Sequence, residues 1–288
     1  MREQNSRLRG WNYWRRKATD TVMTGMVILS TLLAIGLLFA ILGYVLLQGI
    51  TAVNLDFLTQ LPKPVGEPGG GMVNAIVGTL ILVAIACAIA LPTGILAGVY
   101  LAEFGRNRKG TAIRFVTDVL TGIPSIAIGI FAYALIVLPM RSFSAIAGGV
   151  ALGIIMMPIV TRTTEEMLMM VPNSLREASL ALGIPEWRMI LRVVVPTAGA
   201  GITTGAMLAI ARAAGETAPL LFTALGNRYW QTDLWHPIAA LPLQVFAYAI
   251  APYDDWHAQA WAGALVLLAL VLLLSVAARV ASRNRYAR

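Results

Sequence analysis

Residues 177–196 read EASLALGIPEWRMILRVVVP, and the organisation of the whole chain can be worked out from this stretch. Gly183 is suited to end one helix in a left-handed conformation, and Pro185 is suited to open the next helix. After Pro196 the sequence continues without a charge as far as Arg212. These features predict two short helices, joined by a sharp turn, in a polar segment at residues 162–192 that leads into an apolar helix.

A helix-start signal comes before the turn. Ser174 follows Pro172 and Asn173, and Glu177 lies three residues after Ser174, which is the spacing of a capping box. In such a box the hydroxyl bonds a backbone N–H near Glu177 and the carboxylate reaches back to the helix start. Apolar side chains share one face of this helix at Leu175, Ala178 and Leu182. The segment therefore predicts a compact helical elbow at residues 172–192.

Long apolar stretches lie on both sides of the elbow. The chain is 58% hydrophobic and 12% charged, with a mean hydropathy of +0.74. So few charged side chains cannot cover a soluble domain of 288 residues, and the main solvent must be lipid. We predict an all-α integral membrane protein with a core transmembrane domain at about residues 72–278. Its six predicted transmembrane helices are at residues 23–50, 72–102, 115–138, 143–161, 193–225 and 256–278.

The basic residues orient these helices. The chain has 22 Lys+Arg against 14 Asp+Glu, a formal charge of +8. Eighteen of the 22 lie on one side of the predicted membrane, in residues 1–22, 103–114, 162–192 and 279–288. The other side holds only Lys63, Arg141 and Arg228. The positive-inside rule therefore places both basic termini and residues 162–192 in the cytoplasm, with outer loops at 51–71 and 226–255.

The sequence excludes nucleotide hydrolysis by this chain. A P-loop requires the pattern G-x4-G-K-[ST], and none of the three lysines follows a glycine. Cys87 is the only cysteine, so an intrachain disulfide and a cysteine metal cluster are excluded. His236 and His257 are 21 residues apart, which is not a metal-ligand spacing. We predict a protein that is not an enzyme, holds no metal or cofactor, and takes its energy from a partner or from an ion gradient.

Arg212 and Glu216 are charged residues inside the fifth predicted span. A charge in the bilayer costs a few kcal/mol, so both side chains should face protein or water. They lie four residues apart, on one helix face, so they can form an ion pair that lets the helix exist. Alternatively, the planar guanidinium of Arg212 contacts a passing anion and Glu216 tempers the attraction so that the anion is released.

Three other polar positions are candidates for a substrate pathway. Residues 121–125 interrupt the third predicted span, where Pro124 either starts a half-helix with free N–H groups between Thr121 and Ser125 or produces a simple kink. Asp118 is expected to pair with a basic neighbour. Arg162, at the inner end of the fourth span, either anchors the helix at the interface or belongs to the cytoplasmic exit.

Small residues recur in the second and fourth predicted spans. We expect them to let helices approach closely rather than to bind a ligand. They are Gly78, Gly94, Gly98, Gly148, Gly149 and Gly153.

The elbow resembles a known family pattern. The pattern is similar to the EAA loop of ABC importer permeases, E-A-A-x3-G-x9-I-x-L-P. It is matched by Glu177, Ala178 and Gly183 and, after nine residues, by the run Val193–Pro196. Conservative departures occur at Ser179, Val193 and Val195. The resemblance implies the MetI-like (type I) permease fold. It also implies a cytoplasmic coupling helix that docks on an ATPase subunit through the elbow residues Ser174, Glu177, Ala178, Gly183 and Pro196.

Further stretches narrow the resemblance. Three stretches are similar to the A-type permease subunits of Pst high-affinity phosphate importers: RTTEEM at 162–167, VPNSLREA at 171–178 and ARAAGETAPLL at 211–221. TGIPSI at 121–126 and AWAG at 260–263 extend the likeness. It implies a subunit of the bacterial inner membrane with a related C-type permease, two ATPase subunits that bind ATP and Mg, and an extracytoplasmic phosphate-binding protein as partners.

Other functions remain open from the residues alone. A permease for another anion has the same features, because no pocket that counts phosphate oxygens is recognisable. A secondary anion transporter would use buried acids such as Glu216, but it leaves the EAA-like pattern unexplained. A receptor or scaffold would need a sizeable soluble domain, and the sequence has none.

Overall fold

The computed structural model describes residues 2–67 and 69–286 and divides into two compact units, Met1–Gln48 and Gly49–Arg288. Helix α1 (Arg2–Ile50) makes up the described part of the first unit, and its last two residues, Gly49 and Ile50, belong to the second. Residues Tyr13–Ile50 are long and apolar enough to cross a membrane. The basic N-terminal segment, expected as a separate cytoplasmic tail at residues 1–22, is part of this helix from Arg2 onward.

The second unit is all-helical over its described residues, apart from an isolated β-bridge between Leu225 and Ile238. Two π-helical turns, Tyr133–Val137 and Ile190–Val194, join neighbouring helices. The helices are α2 (Leu55–Thr59), α3 (Val73–Phe104), α4 (Arg108–Gly122), α5 (Ser125–Ala132), α6 (Leu138–Met140), α7 (Ala145–Met169), α8 (Asn173–Ala181), α9 (Glu186–Met189), α10 (Val195–Ala214), α11 (Ala218–Thr223), α12 (Leu241–Ala249) and α13 (Asp254–Tyr286).

Helices α3 and α7 form the centre of the unit. A Cβ atom on Gly94 would lie 2.9 Å from Val160 Cβ, and one on Gly98 would lie 2.5 Å from Thr164 Cβ. Neither glycine can be replaced without moving a helix, because real Cβ contacts are not this short. The predicted role of these two glycines is confirmed, because they let α3 and α7 approach closely.

The third predicted span is not one straight helix. α4 ends at Gly122 and a new helix begins at Ser125, and the segments Arg108–Gly122 and Ser125–Met140 meet at 105°. Pro124 explains the break, since it lacks an N–H and restricts Ile123 to the extended conformation seen there (φ −71°, ψ 132°). The predicted interruption of the span at residues 115–138 is thus present at Pro124, and it bends the chain far more than a kink would.

The fourth and fifth spans also have different bounds. α7 continues to Met169, two turns beyond the expected end at residue 161, because residues 162–169 contain no helix breaker. The second short helix of the elbow is not separate, since α9, the π-turn and α10 form one helical stretch, Glu186–Ala214. This stretch ends before Gly215, and Pro219 lies in the separate helix α11, so the expected span at 193–225 is shifted toward the elbow.

The outer segment at residues 226–255 is more than a loop. It contains α12, which packs against α13 and α3 and buries Leu241, Leu243 and Tyr248. The backbone N–H of Leu241 donates to Thr79 Oγ1 on α3 at 2.8 Å. Gly78 lies beside this contact, and its missing side chain leaves room for the carbonyl of Ala239. The segment is therefore fixed to the membrane core at α3.

Within the described residues, five helical stretches are long and apolar enough to cross a membrane, and the bent pair raises the number to six if it crosses as one span. The five are Tyr13–Ile50, Val73–Phe104, Ala145–Met169, Glu186–Ala214 and Asp254–Ala277. An even number places both termini on one side and an odd number on opposite sides. The orientation therefore depends on whether the bent pair crosses.

Two single cysteines in a Cys87-free background test this crossing. Lys109 at the start of α4 and Thr232 before α12 are both exposed, and the bent pair, α7 and the stretch Glu186–Ala214 lie between them. We expect Thr232→Cys to react with an impermeant thiol reagent outside intact cells and Lys109→Cys to react only after permeabilisation. Labelling of both from outside would contradict the six-span topology.

Candidate functional site

A narrow cleft lies between α7, the break that separates α4 from α5, and the end of α10. It has room for about one water molecule, 10 Å³. Pro158 lies 13 residues into the 25-residue helix α7, so the cleft is roughly 20 Å from the start of that helix and near its middle. The lining residues are Leu120, Thr121, Ile123, Ser125, Ile128, Ile155, Pro158, Ile159 and Arg212.

Arg212 supplies the positive charge of this cleft. It lies in the last turn of α10, where a cation is favourable because the helix dipole is negative at that end. Its Nε atom is 3.5 Å from Glu216 Oε1, and the two side chains are 52% and 16% exposed. Among the described residues, the terminal Nη groups of Arg212 have no hydrogen-bond acceptor. The pair with Glu216 is therefore loose, and most of the guanidinium fork is available to another ligand.

Thr121 and Ser125 face the same cleft from the two sides of the helix break. The hydroxyl of Thr121 donates to the carbonyl of Thr117 at 2.9 Å, as expected for a hydroxyl that satisfies its own helix. Ser125 is the first residue of α5. The N–H of Ala127 donates to Pro124 O at 2.9 Å, whereas the N–H groups of Ser125 and Ile126 have no acceptor among the described residues. The structure therefore contains a new helix start after Pro124, with two N–H groups that have no acceptor among the described residues.

Arg162 does not line the cleft. Its Nε atom is 2.9 Å from Glu166 Oε1 and its Nη1 atom 3.7 Å from Glu165 Oε2, all on α7. Because α7 continues to Met169, Arg162 is not at the helix end as expected. Asp118 is exposed and forms no ion pair among the described residues, so the expected basic partner is not found. Three of the predicted pathway residues, Thr121, Ser125 and Arg212, thus line the cleft together. Glu216 lies beside Arg212, and Arg162 lies elsewhere on α7.

The elbow has the predicted turn but not the predicted cap. Gly183 has φ +74°, its N–H donates to Leu180 O at 2.9 Å, and the N–H of Ile184 donates to Ser179 O at 3.2 Å. This is a Schellman motif, in which the glycine takes the left-handed position. At the other end the helix already begins at Asn173 after Pro172, without a side-chain cap. Ser174 is thus inside the helix, and the expected capping box with Glu177 is absent because the helix starts two residues earlier than that motif requires.

The elbow presents apolar side chains to solvent. Leu182 is 80% exposed, and Gly183 lies beside it with open space where a side chain would be. Glu177 and Ala178 are exposed on the same short helix, whereas Pro196 lies at the start of α10. Such a cluster on a surface is typical of a protein-binding site. Its large apolar members are Leu175, Leu180, Leu182 and Trp187.

Two ion pairs beneath the elbow were not predicted from the sequence. Arg114 on α4 donates to Glu165 Oε1 at 2.6 Å, and the carboxylate is buried. Arg176 on α8 donates to Glu103 Oε1 at 2.7 Å. The partners are 51 and 73 residues apart, so no local spacing signals them. Only their position in helices that flank the elbow would have drawn attention to them.

Comparisons with known proteins agree with the transmembrane architecture described above. The sequence profile described as "Binding-protein-dependent transport system inner membrane component" matches residues 94–285. The phosphate transport system permease protein PstA of Yersinia pestis is 45% identical over 268 residues, which cover 93% of this chain and 90% of that protein. The protein of the same name from Xylella fastidiosa (strain Temecula1) is 48% identical over 234 residues, 81% of each chain.

Solved structures resemble the fold. The inward-facing MetNI methionine ABC transporter aligns with a TM-score of 0.56 at 20% identity, over 74% of this chain and 94% of that chain. At this identity the likeness concerns the fold, and it agrees with the MetI-like architecture expected from the sequence.

Proposed function

Because the chain belongs to the family of binding-protein-dependent transport system inner membrane components, we propose that it is the permease subunit of an ATP-driven importer for inorganic phosphate. The relatives that cover most of its length are phosphate transport system permeases. Neither a permease for another anion nor a secondary anion transporter accounts for the similarity to these phosphate permeases.

The observation that carries the proposal is the guanidinium of Arg212 in the central cleft, whose Nη groups have no acceptor among the described residues. Phosphate is a dianion or monoanion at neutral pH, and a planar fork with free Nη groups can bind two of its oxygens. The first turn of α5 adds N–H donors from the other side of the cleft. With room for about one water molecule, the cleft must widen before phosphate passes. The cleft therefore serves the passage of phosphate and does not store it.

Energy for that widening comes from partner subunits in this proposal. The apolar surface of the elbow at residues 172–192 is the docking site for an ATPase subunit, which binds ATP and Mg, because this chain has no P-loop. Two ATPase subunits, a related C-type permease and an extracytoplasmic phosphate-binding protein complete the transporter. Arg162, close to the cytoplasmic end of α7, lies on the exit side of the cleft.

The membrane arrangement follows from the charges and the spans. The chain resides in the bacterial inner membrane with both termini in the cytoplasm, since 18 of its 22 basic residues lie on that side when six spans cross. The exposed aromatic residues Trp230 and Trp235 lie on the outer side, next to α12, at the level of the lipid headgroups.

Reconstitution in liposomes tests the proposal. We expect labelled phosphate to enter liposomes only when the chain is present with its C-type permease, ATPase subunits, binding protein and ATP. The chain alone, with or without a proton or sodium gradient, is expected to give no uptake. Gradient-driven uptake by the chain alone would establish a secondary transporter instead. Equal uptake of sulfate by the complete system would reassign the substrate to another anion.

A further inference from the structure

The short helix α8 is held in place mainly by one arginine. Of the nine residues of α8, only Ser179 is buried, so apolar packing alone fixes the helix weakly. Arg176 makes the strong contacts. Its Nη2 atom donates to Glu103 Oε1 at 2.7 Å and to Leu168 O at 3.1 Å, and its Nη1 atom donates to Val171 O at 2.7 Å. The guanidinium thereby fastens α8 to the ends of both α3 and α7.

This contact is shielded from water. The side chains of Arg176 and Glu103 are 17% and 8% exposed, whereas the pair Arg162–Glu166 is about half exposed on both sides. An ion pair with little solvent around it is screened weakly and keeps a defined geometry. It is therefore suited to transmit a displacement of α8, which an exposed pair between flexible side chains would absorb.

From this contact the helices form a continuous path to the cleft. Glu103 lies in the last turn of α3, and α3 is locked to α7 at Gly94 and Gly98. α7 in turn contributes Ile155, Pro158 and Ile159 to the cleft that holds Arg212. These contacts give a movement of α8 a continuous packed path through α3 and α7 to the cleft.

We propose that Arg176 and Glu103 are positioning residues that transmit ATPase-driven movement of α8 to the α3–α7 pair, and thus to the cleft. The inference rests on the function proposed above. Neither residue contacts the substrate or the cleft. Their loss should uncouple ATP hydrolysis from uptake while the subunits still assemble, which a purely structural ion pair would not do.

Charge exchange in the reconstituted transporter tests the inference. Arg176→Glu and Glu103→Arg each place like charges together, and we expect phosphate uptake per ATP hydrolysed to fall about tenfold, as for loss of about 1.4 kcal/mol. The double exchange re-forms the ion pair but not the two carbonyl contacts, so it should regain several-fold over either single variant. Lys109→Glu, which reverses an exposed cation at the start of α4, is the matched control and should keep wild-type coupling.

The outcomes separate this inference from the proposed function. Absence of phosphate uptake by the wild-type complex would reject the proposed function. Wild-type uptake together with unchanged uptake per ATP in both single variants, or no recovery in the double exchange, would overturn the role of the pair. If the single variants do not assemble, Arg176→Lys decides, because it keeps the charge and loses the fork. A severalfold loss of coupling in that variant supports the inference, and full coupling rejects it.

Discussion

The double variant Arg212→Gln with Glu216→Gln is expected to reach the membrane, assemble with its partners and lose most of its phosphate transport. The ion pair between the two residues is long, at 3.5 Å, and Arg212 is half exposed, so its removal should cost little stability. A hydrogen bond to a charged group contributes about 1.5–3 kcal/mol, so losing the guanidinium should lower uptake roughly ten- to a hundredfold. Membrane abundance and labelled phosphate uptake are the two measurements.

Single replacements identify the reason for the loss. Arg212→Lys should keep partial activity, because a point charge attracts phosphate without its bidentate geometry. Glu216→Gln should keep Arg212 in place and slow release, since the tempering carboxylate is gone. If the pair served folding alone, each single variant would have reduced abundance and the double variant would recover both abundance and uptake. Normal uptake by the double variant would reject the substrate role of Arg212.

Replacing Gly183 with valine is expected to uncouple the ATPase from transport. Gly183 has φ +74° and open space around it, so the cost of a side chain is backbone strain and not a clash. Strain of about 1–2 kcal/mol for a left-handed residue would disfavour the Schellman turn roughly tenfold, and the new side chain would project from the docking surface. We expect normal amounts of protein, with phosphate uptake per ATP hydrolysed reduced about tenfold.

Two further variants make this result specific. Gly66 has φ +90° and also has open space around it, but it lies between α2 and α3, so Gly66→Val carries the same backbone cost outside the proposed docking surface. It should transport normally. Gly183→Asn should retain most activity, because asparagine tolerates the left-handed conformation. Wild-type coupling in Gly183→Val would require the docking surface to be placed elsewhere.

Local signals in the sequence identified the elbow turn. The Gly183 turn needs only a glycine after a short helix and a proline two residues later, so its geometry is encoded by neighbouring residues. The break at Pro124 is local in the same way, although its 105° angle depends on how α5 packs against α7 and α11. The predicted capping box was wrong because other residues within one turn of Ser174 can also start the helix. Which residue starts it depends on where the preceding chain leaves α7.

Composition, hydropathy and local turn signals determined that this chain is an all-helical membrane protein with an elbow between apolar helices, because each of these signals acts over a few residues at a time. The tertiary structure decided which polar residues meet. Thr121, Ser125 and Arg212 share a cleft, and Arg176 reaches Glu103 across 73 residues of chain. Such partners are selected by the packing of helices that are far apart in sequence, and packing is a property of the whole fold that no local pattern records.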